Sequence, residues 1–497
     1  KRENPHIGTD WDLAKLAYCA FGDNLRCVSI THNKWFQFEN HRWQECDSGH
    51  ALRSNLSEKI SKLYIQKQSE TLEIIRTTTD QAQQEKLTTK AAIYNNIASK
   101  LKKTATKSGI FQACKTLFYE AKFTDKLNEN PMIIVFNNGV YDFEAGEFRD
   151  GRPEDMMSLS TNINYINVDE NNKFHKEGLK FWHNFMDTTF TDESLRKYMW
   201  KHAAACMTGV QTQAFWMYVG GGSNGKSMFV TAINSALGDY HHTLDMSTIT
   251  KARPPQGKAL PEIAELRGKR FAVMQEPEEK DQINVGLMKE LTGGDPIQAR
   301  SLFKDAITFI PQFSLVVCCN VMLDITSNDD GTWRRVRVCG FESKFTKTPV
   351  DNDPDSPHQF KIDPHLEKKF ATWAPLFLSH LIDIVFKSGG IVEDCEIVMS
   401  ASNKYREGQD YLTQFINEKI EVAEGKKIKK TELTEVFREW YIQQFGGGKG
   451  KPKAREIYEF MDKKYGKFKK GWHNIKIIYD DDDEEQELEI GEVVVTA

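Results

Sequence analysis

The residues Gly220, Gly221, Gly222, Ser223, Asn224, Gly225, Lys226 and Ser227 follow the apolar run 215–219 and precede a helix-like stretch at 228–237. The spacing G-x-x-x-x-G-K-S suits a loop that wraps successive backbone N–H groups around an anion, with glycine wherever positive φ or close approach is required. A plain glycine-rich turn is the alternative, but the strand-like run before the loop and the helix-like run after it favour phosphate. On this reading Lys226 reaches the β and γ phosphates of a nucleoside triphosphate, and Ser227 holds Mg²⁺.

A triphosphatase also needs a carboxylate at the end of a neighbouring strand, to position Mg²⁺ or polarise the attacking water. Glu276 directly follows the apolar run 271–275 and is the first candidate, with Glu278 or Glu279 as substitutes and a solvated loop carboxylate as the plainer alternative. Asn320 ends the run 313–319 and could orient water against the γ phosphate, although an ordinary turn asparagine would read the same way. Positive charge for the transition state is offered by Arg334 and Arg335, which follow Trp333 in a turn rich in Asp and Gly. Between carboxylate and asparagine, residues 291–305 carry Arg300, Phe303 and Lys304 in a turn-rich setting that reads as a projecting loop or hairpin. Cations with an interleaved aromatic suit a nucleic-acid strand, the cations on phosphates and Phe303 on a base. Phe303 anchored in the core is the equal alternative.

These groups must be carried by a sheet. Strand-like segments at 215–219, 270–275, 313–319 and 335–341, separated by helical or mixed stretches, predict a parallel α/β motor over about 180–345. Upstream, 35–38 and 41–43 suggest a hairpin, 52–119 is helical, and 133–142 reads as strand, turn, strand.

The composition, 39% hydrophobic and 28% charged, is that of a chain with real cores, and its length allows two to four domains. No stretch approaches about 20 apolar residues, so no membrane crossing is expected. The nine cysteines form no paired C-x-x-C arrangement, which fits a reducing compartment and argues against a zinc site. The first residues contain neither a methionine nor an apolar signal region, so the chain reads as a fragment of something longer. The net charge of -5 hides an uneven distribution: lysines crowd 426–470, and an acidic run occupies 480–485.

The segments GGGSNGKS, GKRFAVMQEPEE, LTGGDPIQARSLFKD, FSLVVCCN and DDGTWRRVRV, in that order, resemble the superfamily 3 helicases, in particular the poxvirus-type primase-helicases of nucleocytoplasmic large DNA viruses. The likeness extends upstream to HRWQECDSGHALR and FNNGVYDFEAGEFRDGRPED, and downstream to WYIQQF and GWHNIKI. It implies an AAA+ type hexameric ring with ATP between subunits, Lys226, Ser227, Glu276 and Asn320 on one subunit and Arg334 or Arg335 from the next. Arg300 and Lys304 would line the central channel and grip DNA. Gln275 stands where many relatives carry an acid, so the metal duties would fall on Glu276 and Ser227. No D-x-D acid pair or cysteine cluster precedes residue 130, so the primase part of such proteins is expected to be missing here.

The expected layout is a mostly helical α+β N-terminal domain (1–125), a strand-rich connector or collar (126–180), the AAA+ motor (181–345), a helical extension (346–405), a basic winged-helix-like domain (406–479) and an acidic tail (480–497). The expected function is ATP-driven unwinding of duplex DNA during viral genome replication in the host cytoplasm, with a DNA polymerase or processivity factor as a possible partner. An ATP-assembled DNA-binding ring that loads partners without unwinding is the alternative, and a small-molecule kinase is disfavoured by the arginine pair and the basic tail region.

Overall fold

The computed structural model describes residues 8–250, 260–275, 282–302, 306–325, 327, 329–351, 353–354, 356–445 and 454–479. At its centre five strands, β1 (Phe215–Val219), β2 (His241–Leu244), β3 (Phe271–Gln275), β4 (Ser314–Cys319) and β5 (Val336–Gly340), form one sheet in the order β5-β1-β4-β3-β2. Every pairing in it is parallel. A parallel sheet covered on both faces needs strands that are apolar throughout, which is how FAVMQ and SLVVCC read.

Alternate residues of these strands feed two cores. Trp216, Tyr218, Val273 and Val316 face one side, and Phe215, Met217, Met274 and Val317 face the other. The first side is covered by α1 (Lys173–Thr189), α2 (Glu193–Ala205), α3 (Lys226–Leu237) and α4 (Leu366–Ser388). Trp182 of α1 stacks on Phe377 of α4 with ring centroids 4.1 Å apart, and its indole N–H donates to the carbonyl of Trp373 at 2.9 Å. The second side is covered by the helix Val285–Thr292 and by an antiparallel hairpin of Ile297–Arg300 with Ala306–Phe309.

The sequence reading located four of the five strands and missed β2. His241-His242-Thr243 is polar, and only Leu244 is buried, because β2 is the edge strand and has one neighbour. Two further differences concern extent. Residues 291–292 belong to the end of a helix rather than to a loop. The 23-residue helix α4 is long and apolar enough to cross a bilayer by length and composition alone, against the expectation that no stretch would be. Phe370, Leu376, Phe377, Leu378, Leu381 and Ile382 of this helix instead lie in the core under the sheet.

Before the sheet, a helix (Asp10–Phe21), a three-stranded antiparallel sheet (Leu25–Ser29, Lys34–Glu39, Arg42–Cys46) and helices through Leu117 form a body with its own core around Trp35 and Phe111. A second three-stranded sheet (Ile133–Phe136, Gly139–Asp142, Glu147–Arg149) then packs against the core of the central sheet. Arg270, the residue before β3, makes this junction. It is fully buried, donates to the carbonyls of Pro131 at 2.5 Å and Ile133 at 3.0 Å, and lies 5.5 Å from the ring of Tyr240. Burial pulls its pKa down to about 10. Gln312 reinforces the seam by donating to the carbonyls of Asn128 and Glu129, both at 3.0 Å. After α4 and the helix Glu396–Gly408, residues 411–479 form a separate core around Phe415, Phe437, Trp440 and Trp472.

Replacing Arg270 with methionine keeps bulk but strands buried carbonyls, a loss of about 1–3 kcal/mol for each unsatisfied group. The expected outcome is a lower thermal midpoint together with new protease cleavage within 126–165. An unchanged midpoint and an unchanged digestion pattern would show that Arg270 does not hold the seam.

Candidate functional site

Since β1, β3 and β4 are parallel and adjacent, their C-terminal ends share one edge of the sheet. Cys319 pairs with Val219 and Cys318 with Gln275, so the loop after β1, Asn320 after β4 and Gln275 at the end of β3 meet there. The loop 220–225 turns directly into α3, which begins at Lys226. Gly222 and Gly225 have φ of +100° and +88°, values that favour glycine, and Ser223 is also left-handed at +51°. A Cβ on Gly221 or Gly222 would meet nothing within 4 Å, so the inner curve of the loop is open. A Cβ on Gly220 would lie 2.7 Å from the carbonyl oxygen of Phe341, and one on Gly225 would lie 3.1 Å from the Phe345 ring.

Lys226 lies across this curve. Its ammonium donates to the carbonyl of Gly220 at 2.5 Å and to Oδ1 of Asn320 at 3.0 Å. It is buried, and burial lowers its pKa. No carboxylate pairs with it among the described residues, so its charge is available to an anion. Ser227 is exposed at the first turn of α3, where backbone N–H groups lack helical partners. The loop is clamped from outside: Asn224 donates to the carbonyl of Ser343 at 2.8 Å, and the Phe345 N–H donates to the Ser223 carbonyl at 2.8 Å.

The loop, Lys226, Ser227, Gln275 and Asn320 line one end of a cavity of about 740 Å³. Phe185, Phe345, Ile362 and Leu366 line it elsewhere. This apolar wall went unread in the sequence because its members carry no local motif: Phe185 comes from α1, and folding of the chain after β5 over the loop brings in Phe345, Ile362 and Leu366.

The two arginines take different places. Arg334 is exposed and has no ion pair among the described residues, whereas Arg335 is buried and donates to the carbonyl of Gly331. Of the two arginines proposed to supply positive charge, only Arg334 is therefore at the surface. The Arg335 carbonyl accepts from the N–H of Phe215, the first residue of β1, so both arginines sit at the sheet edge opposite the loop. Five residues of strand separate the two edges, roughly 15 Å. The turn before them is held by Asp329, which accepts from Lys289 at 2.6 Å and caps the helix Asp330–Trp333. Burial opposes the Asp329 charge, but hydrogen bonds from Lys289, Ser327 and Thr332 outweigh it and keep this carboxyl well below the usual range.

Arg300 points outward from the hairpin, whose strand alternates buried Ile297 and Ala299 with exposed Gln298 and Arg300. Phe303 and Lys304 fall between its two strands and lie outside the described residues, as do Glu276, Glu278 and Glu279.

A parallel sheet with a glycine loop at its C-terminal edge and a buried lysine across that loop defines a phosphate-binding α/β protein of the class that handles nucleoside triphosphates. Comparison with known proteins narrows this. A family described as D5 N terminal like matches residues 14–191, and a family of unknown function matches residues 218–335. The chain is 32% identical over 460 residues to a protein of Acanthamoeba polyphaga mimivirus named as a candidate helicase, an alignment covering 90% of this chain and 47% of that protein. It is 25% identical over 529 residues to a candidate helicase of Frog virus 3, covering 87% and 54%. A candidate primase of African swine fever virus is 25% identical over 358 residues, covering 69% and 36%. Over most of its length the chain is thus similar to proteins of large DNA viruses named as candidate helicases and primases. It spans about half the length of the mimivirus and Frog virus 3 proteins. Among solved structures, the apo NrS-1 C-terminal region aligns over 52% of this chain and 57% of that chain at 12% identity, with a TM-score of 0.37.

Substituting Gly225 with alanine forces a side chain into left-handed backbone and against Phe345, a strain of about 1–3 kcal/mol. The expected outcome, read by titration with a fluorescent ATP analogue, is at least a tenfold loss of nucleotide affinity. Unaltered affinity would mean that the loop does not need this backbone shape.

Proposed function

We propose that this chain is the motor part of a replicative primase-helicase: an ATP-dependent DNA helicase of superfamily 3, AAA+ in type, that works as a homohexamer and unwinds duplex DNA during viral genome replication. The observation that carries the reading is Lys226, buried between Gly220 and Asn320 with no acid beside it among the described residues, in a cavity large enough for a nucleotide.

Burial disfavours the Lys226 charge in the absence of an anion, so this ammonium gains most from an oxyanion that develops charge during phosphoryl transfer. Asn320 positions that ammonium through Oδ1 and keeps its amide N–H groups as donors for orienting a water. The open curve at Gly221 and Gly222 accommodates phosphate oxygens, and Phe345, Ile362 and Leu366 give a nucleobase an apolar wall. Ser227 and Glu276 are the residues that would hold Mg²⁺, which when bound neutralises charge on the β and γ phosphates. Glu276 would also take the proton of the attacking water.

Arg334 stands too far from its own subunit's loop to reach the γ phosphate there, so it serves the site of a neighbour in the ring. The exposed Arg300, together with Lys304 and Phe303, grips DNA in the channel. The relatives are about twice as long as this chain, and the primase named among them belongs, on this reading, to sequence outside it. Host cytoplasm is the expected site of action, with a DNA polymerase or its processivity factor as partner.

Subunit mixing tests the shared site. Lys226→Ala and Arg334→Ala should each lower phosphate release at least hundredfold, and a mixture of the two should regain part of it, since some interfaces then pair an intact loop with an intact arginine. Normal turnover by Lys226→Ala would refute the catalytic assignment; no recovery on mixing would refute action in trans. Single-stranded DNA should stimulate the parent rate, as a translocating motor requires and an assembly switch does not.

A further inference from the structure

Residues 411–479 hold sixteen Lys and Arg against nine Asp and Glu, a net charge of +7 in a chain whose total is -5. The fold concentrates this excess. The strand Ile420–Ile428 pairs antiparallel with Trp472–Ile477, Lys427 opposite His473 and Ile428 opposite Trp472. That pairing brings the run 426–430 against the run 463–470. A Cβ on Gly471 would lie 3.3 Å from Cβ and Cδ of Lys427, and the Lys430 ammonium sits 4.8 Å from the Tyr458 ring and 4.7 Å from the Phe468 ring.

Nine lysines stand on these two runs: 426, 427, 429, 430, 463, 464, 467, 469 and 470. All nine are exposed, and none has an ion pair among the described residues. The nearest acid in sequence, Asp462, is already committed, accepting from the Trp472 indole and the Phe468 N–H, both at 2.9 Å. Elsewhere on the same small unit, cations are paired: Lys476 with Glu421 and Arg455 with Glu459, both at 2.6 Å. Like charges gathered from distant parts of a chain and left unneutralised repel one another, at a cost that a polyanionic ligand removes.

We propose that this lysine face is a second DNA site, separate from the hairpin, and that it takes the phosphate backbone of a duplex. Single-strand sites stack bases on exposed rings. Here Trp472 is buried, and Tyr458 and Phe468 are packed against it and beneath Lys430, so the face offers charge without a stacking platform. Such a surface reads a ridge of phosphates and no sequence. In a motor whose channel holds one strand, it would hold the unopened duplex ahead.

The site does not depend on nucleotide, so it is tested without any, by fluorescence anisotropy of a labelled 20-base-pair duplex over a series of salt concentrations. The fourfold variant Lys427→Gln, Lys467→Gln, Lys469→Gln, Lys470→Gln keeps the side-chain stems and removes four charges. Each phosphate contact contributes about 0.9 to the slope of log affinity against log salt, so the slope should fall by about 3.6 if all four lysines meet phosphates. Lys86→Gln, an exposed lysine on the N-terminal helices, should leave duplex affinity within about twofold, which separates this face from a general loss of positive charge. The comparison is repeated on chains ending at Tyr479, so that occupancy by the following acidic residues does not hide the site. Equal slopes for parent and variant in both lengths would overturn the proposal, and so would a loss of single-strand affinity in the variant larger than its loss of duplex affinity.

Discussion

The placement of β4 between β1 and β3, with all three strands parallel, is the constraint on which the rest depends. A parallel sheet delivers every strand's C-terminus to one edge, and this is what puts Asn320 within 3.0 Å of Lys226 although 94 residues separate them. The same register sends Arg334 and Arg335 to the other edge, because they precede β5 rather than follow it. One subunit therefore presents a phosphate loop on one edge and a spare cation on the other. On the proposed reading, two copies side by side join these halves.

Keeping that register requires firm packing on both faces, and the flanking parts supply it. The α1 and α4 helices lock through Trp182, and the segment after β5 folds back so that Ser343 and Phe345 hold the loop from outside. Arg270 joins the upstream three-stranded sheet to the start of β3 through carbonyl groups rather than through a carboxylate. A guanidinium suits that task because it stays charged at neutral pH even when burial pulls its pKa to about 10. The upstream sheet is thereby fixed to the edge opposite the loop, leaving the loop's edge clear.

The motor strands were legible because a strand buried on both faces must be apolar throughout, a pattern that survives without knowledge of its neighbours. The loop was legible because its glycines and lysine serve a backbone geometry local to eight residues. Three things were not. The edge strand β2 has only one partner and so carries a polar sequence. The apolar wall of the cavity is assembled by Phe185 and by residues beyond β5, none of which bears a local signal. Burial of Arg335 beside exposed Arg334 follows from where the turn enters β5, which a dipeptide of like residues cannot reveal. The lysine face of the last unit was visible as composition, but its concentration depends on the pairing of Lys427 with His473 across 46 residues.

The central claim is that phosphate chemistry at Lys226 drives strand separation. ATP-dependent displacement of a labelled strand from a forked DNA duplex tests it most directly. The account predicts displacement that requires hydrolysable ATP and disappears with a non-hydrolysable analogue. A chain that hydrolyses ATP at full rate yet displaces no strand from any fork would contradict it and would favour a ring that binds DNA without unwinding it.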